Sequence, residues 1–339
     1  MKKLQNTVYL STQGSYLHKE RETLVVENDG KKLGQLPLHA IGNIVCFGRI
    51  MVSPALMAAT AEKGIGLSFL TEYGKFLARL EGPQTGNVLL RRTQYRLADE
   101  DPISIARLMV AAKVANARQV IMRAARNHGA QPLLTEAVQQ LKNNIKQIQR
   151  ESNLEKLRGI EGDAAQRYFG VFNYIVRPDQ RQHFVFEGRN KRPPTDVINA
   201  LLSFSYTLLT YEISSAMQTV GLDPYVGFLH RDRPGRVSLA LDMLEEFRAP
   251  VCDRFVLSLI NRKQVNRGDF VTEASGGVRL KDKARKVFLT AWQERKQTEI
   301  THPYTQEKMP TGLAPYIQCQ LLGRFLRNDL AAYPPFLIK

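Results

Sequence analysis

The most constraining feature of this sequence is a change of texture near residue 100. From Asn6 to about Leu80, short β-branched and aromatic runs alternate with turn residues, whereas beyond Pro102 the chain turns to long Ala-, Leu- and Gln-rich stretches. Asn6-Thr7-Val8-Tyr9-Leu10 and Thr23-Leu24-Val25-Val26-Glu27 predict strands, and Asn28-Asp29-Gly30-Lys31 predicts a tight turn whose Gly supplies positive φ. Further strands are expected over 44–47, 66–70 and 76–80, with one helix over 54–63. The second part predicts helices over 104–127, 133–153 and 155–177, then 195–221, 239–248, 251–261, 281–295 and 315–330. Gly82-Pro83, Gly86 and the basic polar Arg91-Arg92-Thr93-Gln94-Tyr95-Arg96 read as the joint between them. The expectation is an α+β chain with a small β domain over 1–85, a linker over 86–102 and a larger all-α domain over 103–339.

Charge narrows the partner. The 339 residues carry 48 Lys and Arg against 32 Asp and Glu, a net +16, which points to a polyanion. Between Asp101 and Glu151 the sole acid is Glu136, against Arg107, Lys113, Arg118, Arg123, Arg126, Lys142, Lys146 and Arg150. Cys46, Cys252 and Cys319 are too few and too far apart for a disulfide framework or a Cys-based zinc site, and a cytoplasmic setting fits them. The Met1-Lys2-Lys3-Leu4-Gln5-Asn6 start lacks the apolar run of a signal peptide, and no run of about 18 apolar residues follows, so neither secretion nor membrane insertion is expected.

Two segments carry candidate chemistry. In Gly227-Phe228-Leu229-His230, a His ends an apolar segment; a loop with Arg231, Asp232, Arg233, Pro234, Gly235 and Arg236 follows, and Ser238 stands where a helix N-cap would. On that helix Asp242 and Glu245 lie at i and i+3, so their carboxylates share a face, with Glu246 one step round. One imidazole and two or three carboxylates make a hard N/O donor set suited to Mn²⁺ or Mg²⁺. A further ligand is expected from Arg158-Gly159-Ile160-Glu161-Gly162-Asp163-Ala164-Ala165, where small neighbours leave Glu161 open to close approach. Taken alone, each residue also has a plain structural use: His230 as a satisfied polar group, Glu245 and Glu246 as partners of Arg248, and Glu161 as a helix-start acid.

Three motifs in order, Glu161-Gly162-x-Ala164-Ala165-x-x-Tyr168, Arg192-Pro193-Pro194-x-Asp196-x-x-Asn199-Ala200-Leu201-Leu202-Ser203, and Gly227-x-Leu229-His230 through Glu245-Glu246-Phe247-Arg248, resemble the CRISPR-associated endonuclease and integrase of spacer acquisition. Lys113 and Asn116 on an early helix and the closing Tyr333-Pro334-Pro335-Phe336 extend the likeness over nearly the whole chain. The resemblance implies a β-sandwich-like N-terminal domain, a helical catalytic domain and a homodimer. It also implies assembly with a small ferredoxin-like partner of the adaptation complex, on double-stranded and branched DNA. It places one divalent ion on Glu161, His230 and Glu245, with Asp242 as an accessory acid. In the Pro193-Pro194 segment, Asp196 or Thr195 is expected to cap the next helix. Arg189, Lys191, Arg192, Arg231, Arg236 and Arg248 are candidates for phosphate contacts, and Tyr168 or Tyr206 for stacking on an unpaired base.

The activity expected is metal-dependent cleavage of a DNA phosphodiester with water as nucleophile, or transesterification with the 3′-hydroxyl of an incoming strand. Two rivals make other predictions. A non-catalytic DNA-binding scaffold would be indifferent to chelation, and a hydrolase of small phosphate esters would have little use for so much positive charge.

Overall fold

The computed structural model describes residues 6–72, 76–80, 82, 87–129, 131–190 and 193–338. The chain forms two compact units, one of Met1–Gly86 with Phe288–Thr298 and one of Asn87–Val287 with Glu299–Lys339.

The first unit contains β1 (Asn6–Leu10), β2 (Tyr16–Glu20), β3 (Thr23–Asn28), β4 (Lys31–Pro37), β5 (Ile41–Phe47), β6 (Met51–Val52), α1 (Pro54–Glu62), β7 (Gly66–Leu70) and β8 (Phe76–Leu80). Two four-stranded sheets result, ordered β4-β3-β2-β6 and β1-β5-β7-β8. The predicted turn joins β3 to β4, with Asp29 at φ 49° and Gly30 at φ 71°, the left-handed pair that matches strand twist in a tight hairpin. β1, β5 and β7 pair in parallel, and α1 supplies the crossover into β7. Ser53 caps that helix by accepting from the Leu56 N–H at 3.2 Å, and Pro54 occupies the position where a missing N–H costs nothing. Leu10, Ile44 and Leu67 of one sheet, Leu17 and Leu24 of the other and Leu56 of α1 belong to one buried apolar cluster, the sandwich core. The expected 1–85 boundary lacks one piece, since residues 288–298 belong to this unit. There Lys296 Nζ donates to Thr7 Oγ1 at 3.0 Å and Gln293 donates to the Thr7 carbonyl.

The second unit is mostly helical. It begins with α2 (Val88–Glu100), where a linker was expected. Composition misled because the buried face of α2 includes a Gln: Gln94 donates to the carbonyls of Asp223 and Val226 at 2.7 and 2.9 Å and accepts from the Asp223 N–H at 2.9 Å. Then come α3 (Pro102–His128), α4 (Pro132–Arg150), α5 (Leu154–Gly170), α6 (Phe172–Ile175), α7 (Val197–Val220), α8 (Ser238–Phe247) and α9 (Arg254–Asn261). Asp196 caps α7 as expected, accepting from the Asn199 N–H at 2.7 Å. Two short antiparallel ribbons interrupt the helices: β9 (Phe270–Thr272) with β10 (Val278–Leu280), then, after α10 (Asp282–Gln297), β11 (Glu299–Thr301) with β12 (Lys308–Pro310). α11 (Ala314–Leu326) follows. No described helix is long and apolar enough to cross a membrane, and the three cysteines are buried and free.

Between α8 and α9 the helix widens into a π-helical stretch, Arg248–Asp253. Pro250 lies inside it and has no N–H to give the Glu246 carbonyl four residues back. Asn116 of α3 fills that gap, donating to Glu246 O at 2.8 Å and to Phe336 O at 2.8 Å while accepting from Ile338 N at 3.0 Å. The closing segment is thereby strapped to the core. Its Phe336 N–H and Tyr333 hydroxyl both donate to the buried Glu246 carboxylate at 2.7 Å, and Gln318 adds a third donor at 3.0 Å.

Two predictions follow from the strap. Asn116→Leu takes the partner from two buried carbonyls and from the half-buried Ile338 N–H, and urea denaturation should register a loss of about 2–4 kcal/mol; an unchanged midpoint would contradict this account. Burial pushes the Glu246 carboxyl up to about 7 from 4.5, against the pull of its three donors. Because the folded pKa is the higher one, this group's contribution is fully present below pH 4.5 and is lost as pH rises through about 7. Between pH 4.5 and 8 the unmodified chain should lose on the order of 3 kcal/mol from this group, a slope that Glu246→Gln removes.

Candidate metal centre and nucleic-acid cleft

The predicted site is assembled from α3, α5, α8 and the loop before α8. Glu161, His230 and Glu245 line one cleft of about 410 Å³, together with Glu155, Arg158, Leu229, Arg231, Arg233, Arg236 and Arg248.

Glu245 has 3% of its side chain exposed, so its charge must be answered locally. Arg248, one turn on, approaches its Oε1 at 3.1 Å, and Lys113 of α3 approaches its Oε2 at 2.8 Å. Burial pushes the Glu245 carboxyl up, but Arg248, Lys113 and the His230 ring outweigh burial and hold it at about 2. Burial pushes the Lys113 ammonium down, and Glu245 and Glu161 together more than reverse this. Lys113 also hydrogen-bonds Glu161 Oε1, so one ammonium joins the two carboxylates expected to hold a metal. Tyr206 fixes Arg248 from the other side: the guanidinium lies 5.0 Å from the ring centroid, and the Tyr206 hydroxyl donates to Asp253 at 2.6 Å. Burial pushes the Asp253 carboxyl up to about 6.

Asp242 shares α8 with Glu245 but has a different task. Fully buried, it accepts the backbone N–H groups of Phe228, Leu229 and His230 at 2.6, 2.9 and 2.9 Å. Its Oδ1 also lies 2.5 Å from His230 Nδ1. An ionised carboxylate only accepts, so Nδ1 is the donor of this contact and Nε2 is the ring nitrogen left to face an ion. Asp242 thus orients the imidazole from behind, with both of its oxygens taken up by the turn that carries the ring. A Cβ on Gly227 would meet Asp242 Oδ2 at 2.7 Å and Ser238 at 2.9 Å, which is why this turn needs glycine. Ser238 does not cap α8; its hydroxyl donates to the Arg231 carbonyl at 3.3 Å and closes the loop on itself.

Arg158, which the sequence reading passed over, ties α5 to this loop by donating from Nε to the Leu229 carbonyl at 2.8 Å. Its signal was available, because it lies three residues before Glu161 on the same helix face. Arg158 and Arg231 both pair with Glu155 at the cleft, Arg231 at 2.8 Å. Of the other expected contacts, Arg231, Arg236 and Arg248 line the cleft. Arg189 faces inward: it donates to Asn199 Oδ1 at 2.7 Å and covers the Tyr206 ring. Tyr168 is buried, packed edge-on against Phe169 and Phe172 with its hydroxyl 2.9 Å from Asp253, so its ring is not presented to the cleft. Lys191 and Arg192 lie outside the described residues.

The donor chemistry fits a hard divalent ion: two carboxylates, and an imidazole nitrogen whose ring is already oriented. Both Glu245 oxygens meet cations, Oε1 the Arg248 guanidinium at 3.1 Å and Oε2 the Lys113 ammonium at 2.8 Å, so this carboxylate is already committed to positive charge. Among the described residues no three His, Cys, Asp or Glu side chains are gathered closely enough to hold an ion. The Lys113 ammonium stands between two of the three.

Two glycine substitutions separate strain from open space. Gly227→Ala should lower stability by about 1–3 kcal/mol by overpacking the Asp242 turn. A Cβ at Gly159 meets nothing within 4 Å, so Gly159→Ala in α5 should raise stability by up to about 1 kcal/mol. Urea denaturation of both variants checks this, and two shifts of the same sign would contradict it.

The comparisons with known proteins converge. The model of the family described as CRISPR associated protein Cas1 matches residues 8–294. A relative from Rhodospirillum rubrum named CRISPR-associated endonuclease Cas1 2 is 50% identical over 347 residues, covering 100% of each chain. A solved CAS1 protein from Thermotoga maritima superposes with a TM-score of 0.82 at 24% identity, covering 97% of this chain and 99% of that one. A solved casposase bound to integration product gives a TM-score of 0.82 at 20% identity over 96% and 92% of the two chains, a likeness of fold. By its sequence over more than half its length, and with a matching fold, the chain belongs to the CRISPR-associated Cas1 family.

Proposed function

We propose that this chain is a divalent-metal-dependent DNA endonuclease and integrase of CRISPR adaptation, working as a homodimer with a small ferredoxin-like partner. One observation carries the reading. Glu161, His230 and Glu245 line a single cleft that, among the described residues, also carries Arg158, Arg231, Arg233, Arg236 and Arg248, with Glu155 as a further acid. Carboxylates and an imidazole among arginines suit a phosphodiester that needs both charge neutralisation and a cation at the reacting centre. The endonuclease name of the Rhodospirillum relative and the family membership support it.

An Mn²⁺ or Mg²⁺ ion held by Glu161, Glu245 and His230 Nε2 would supply Lewis-acid polarisation of a non-bridging phosphate oxygen. The protein's own groups do the rest. The cleft arginines grip the flanking phosphates and set the register of the strand, and Arg158 fixes the His230 loop against α5. Asp242 orients the ring through Nδ1, which leaves Nε2 as the nitrogen an ion would take. An in-line attack by water breaks the phosphodiester. Attack by the 3′-hydroxyl of a second strand forms a new phosphodiester as the old leaving oxygen departs, so nicking and joining are one displacement with different nucleophiles. Gly159 and Gly162 sit in open space on α5 beside Glu161, which leaves that backbone accessible to a strand.

The scaffold reading has one observation in its favour: the same acids pair with Lys113 and Arg248, so a purely charge-balancing role accounts for their positions. Strand transfer and nicking on a branched DNA, with Mn²⁺ or Mg²⁺ and the partner present, separate the two. Glu161→Ala, His230→Ala and Glu245→Ala are each expected to lower product formation by about 10²-fold or more while DNA binding persists, and chelation should do the same. Undiminished activity in all three variants removes this ligand set, and an unmodified complex that binds DNA but yields no product favours the scaffold.

A further inference from the structure

We propose that Lys113 is an internal cation that closes the metal site in the absence of metal and must be displaced for an ion to bind. The inference rests on the metal reading given above and deepens it. A divalent ion bonded to both Glu161 and Glu245 would stand about 2 Å from an oxygen of each. The Lys113 ammonium occupies that space, in hydrogen-bond contact with Glu161 Oε1 and 2.8 Å from Glu245 Oε2. Two cations cannot share it, on grounds of volume and of charge.

The side chain approaches from the core and not from the cleft. Lys113 is absent from the cleft lining but lines a second cavity of about 30 Å³, with Ala164, Tyr168, Tyr206 and Asp253 among its walls and Arg248 shared with the cleft. An ion would enter from the cleft, and the second cavity offers the ammonium a place to withdraw. The missing cluster of metal-ready acids has the same cause, because two of the three candidate ligands are turned toward an ammonium. Binding is then a competition in which the fraction of protein with Lys113 withdrawn multiplies the intrinsic affinity. In the closed state Lys113 neutralises Glu161 and Glu245 together and keeps α3, α5 and α8 joined.

Calorimetric titration of Mn²⁺ into the full-length chain, its Lys113→Met variant and its Lys113→Arg variant tests this. Removing the competing charge should tighten Mn²⁺ binding roughly tenfold or more and lower the metal-free melting temperature, with Mn²⁺ restoring more of it than in the unmodified protein. Lys113→Arg, which keeps charge and offers two parallel donors to the carboxylates, should fold and bind Mn²⁺ several-fold more weakly than the unmodified chain. Equal affinities in the unmodified and Arg proteins, or a Met variant that binds no more tightly, overturn the competition while leaving the metal reading intact. Absence of Mn²⁺ binding in all three proteins overturns the metal reading and this inference with it.

Discussion

A carboxylate with 3% of its side chain exposed cannot remain ionised in a helical core unless cations meet it there, and Glu245 is such a group. Its two answers, Lys113 from α3 and Arg248 one turn along, organise the helical unit. Lys113 reaches Glu161 and so brings α5 to the same point; Arg248 lies against Tyr206, whose hydroxyl is held by Asp253. The polar layer therefore runs from the cleft into the core without a break. Buried ion pairs of this kind add little net stability, but losing one partner strands the other, which makes their geometry hard to alter piecemeal.

α8 is the element on which these demands converge. Three of its acids point to three places: Asp242 into the loop that carries His230, Glu245 toward Lys113 and the cleft, and Glu246 into the closing strap. Successive residues on a helix turn by about 100°, so positions 242, 245 and 246 can serve a shared region and still face distinct partners. The strap, the π-helical turn at Pro250 and the Asn116 side chain that compensates it all bear on this helix. A site mounted in this way sits on rigid structure, and its loop contribution, His230, is pinned by three backbone N–H groups and the ring itself.

The sequence was most legible where information is local. Turn chemistry at Asn28-Asp29-Gly30-Lys31, the Asp196 cap and the spans of α1, α3, α4 and α7 came through because a few neighbouring residues determine them. β2 and β4 escaped notice, since the charged Tyr16–Glu20 and Lys31–Pro37 runs lack strict alternation and are drawn into the sheet by β3. The resemblance brought Glu161, His230 and Glu245 forward, and they line one cleft. What local pattern could not reveal is which residue at a distance answers each of them. Lys113 lies 48 positions from Glu161, and Asp242 was read by helical spacing as a neighbour of Glu245 when its carboxylate is committed to the turn before the helix. The same holds for residues 288–298, which join the first unit across more than 200 positions of sequence separation.

The central claim is that Glu161, Glu245 and His230 together hold one divalent ion. Anomalous diffraction at the manganese edge from crystals soaked in Mn²⁺ tests it most directly. The account predicts one strong peak in the cleft, about 2 Å from a carboxylate oxygen of each glutamate and from His230 Nε2, with Asp242 still on Nδ1. A peak elsewhere, or a cleft that stays empty at millimolar Mn²⁺ while the protein remains folded, would contradict it.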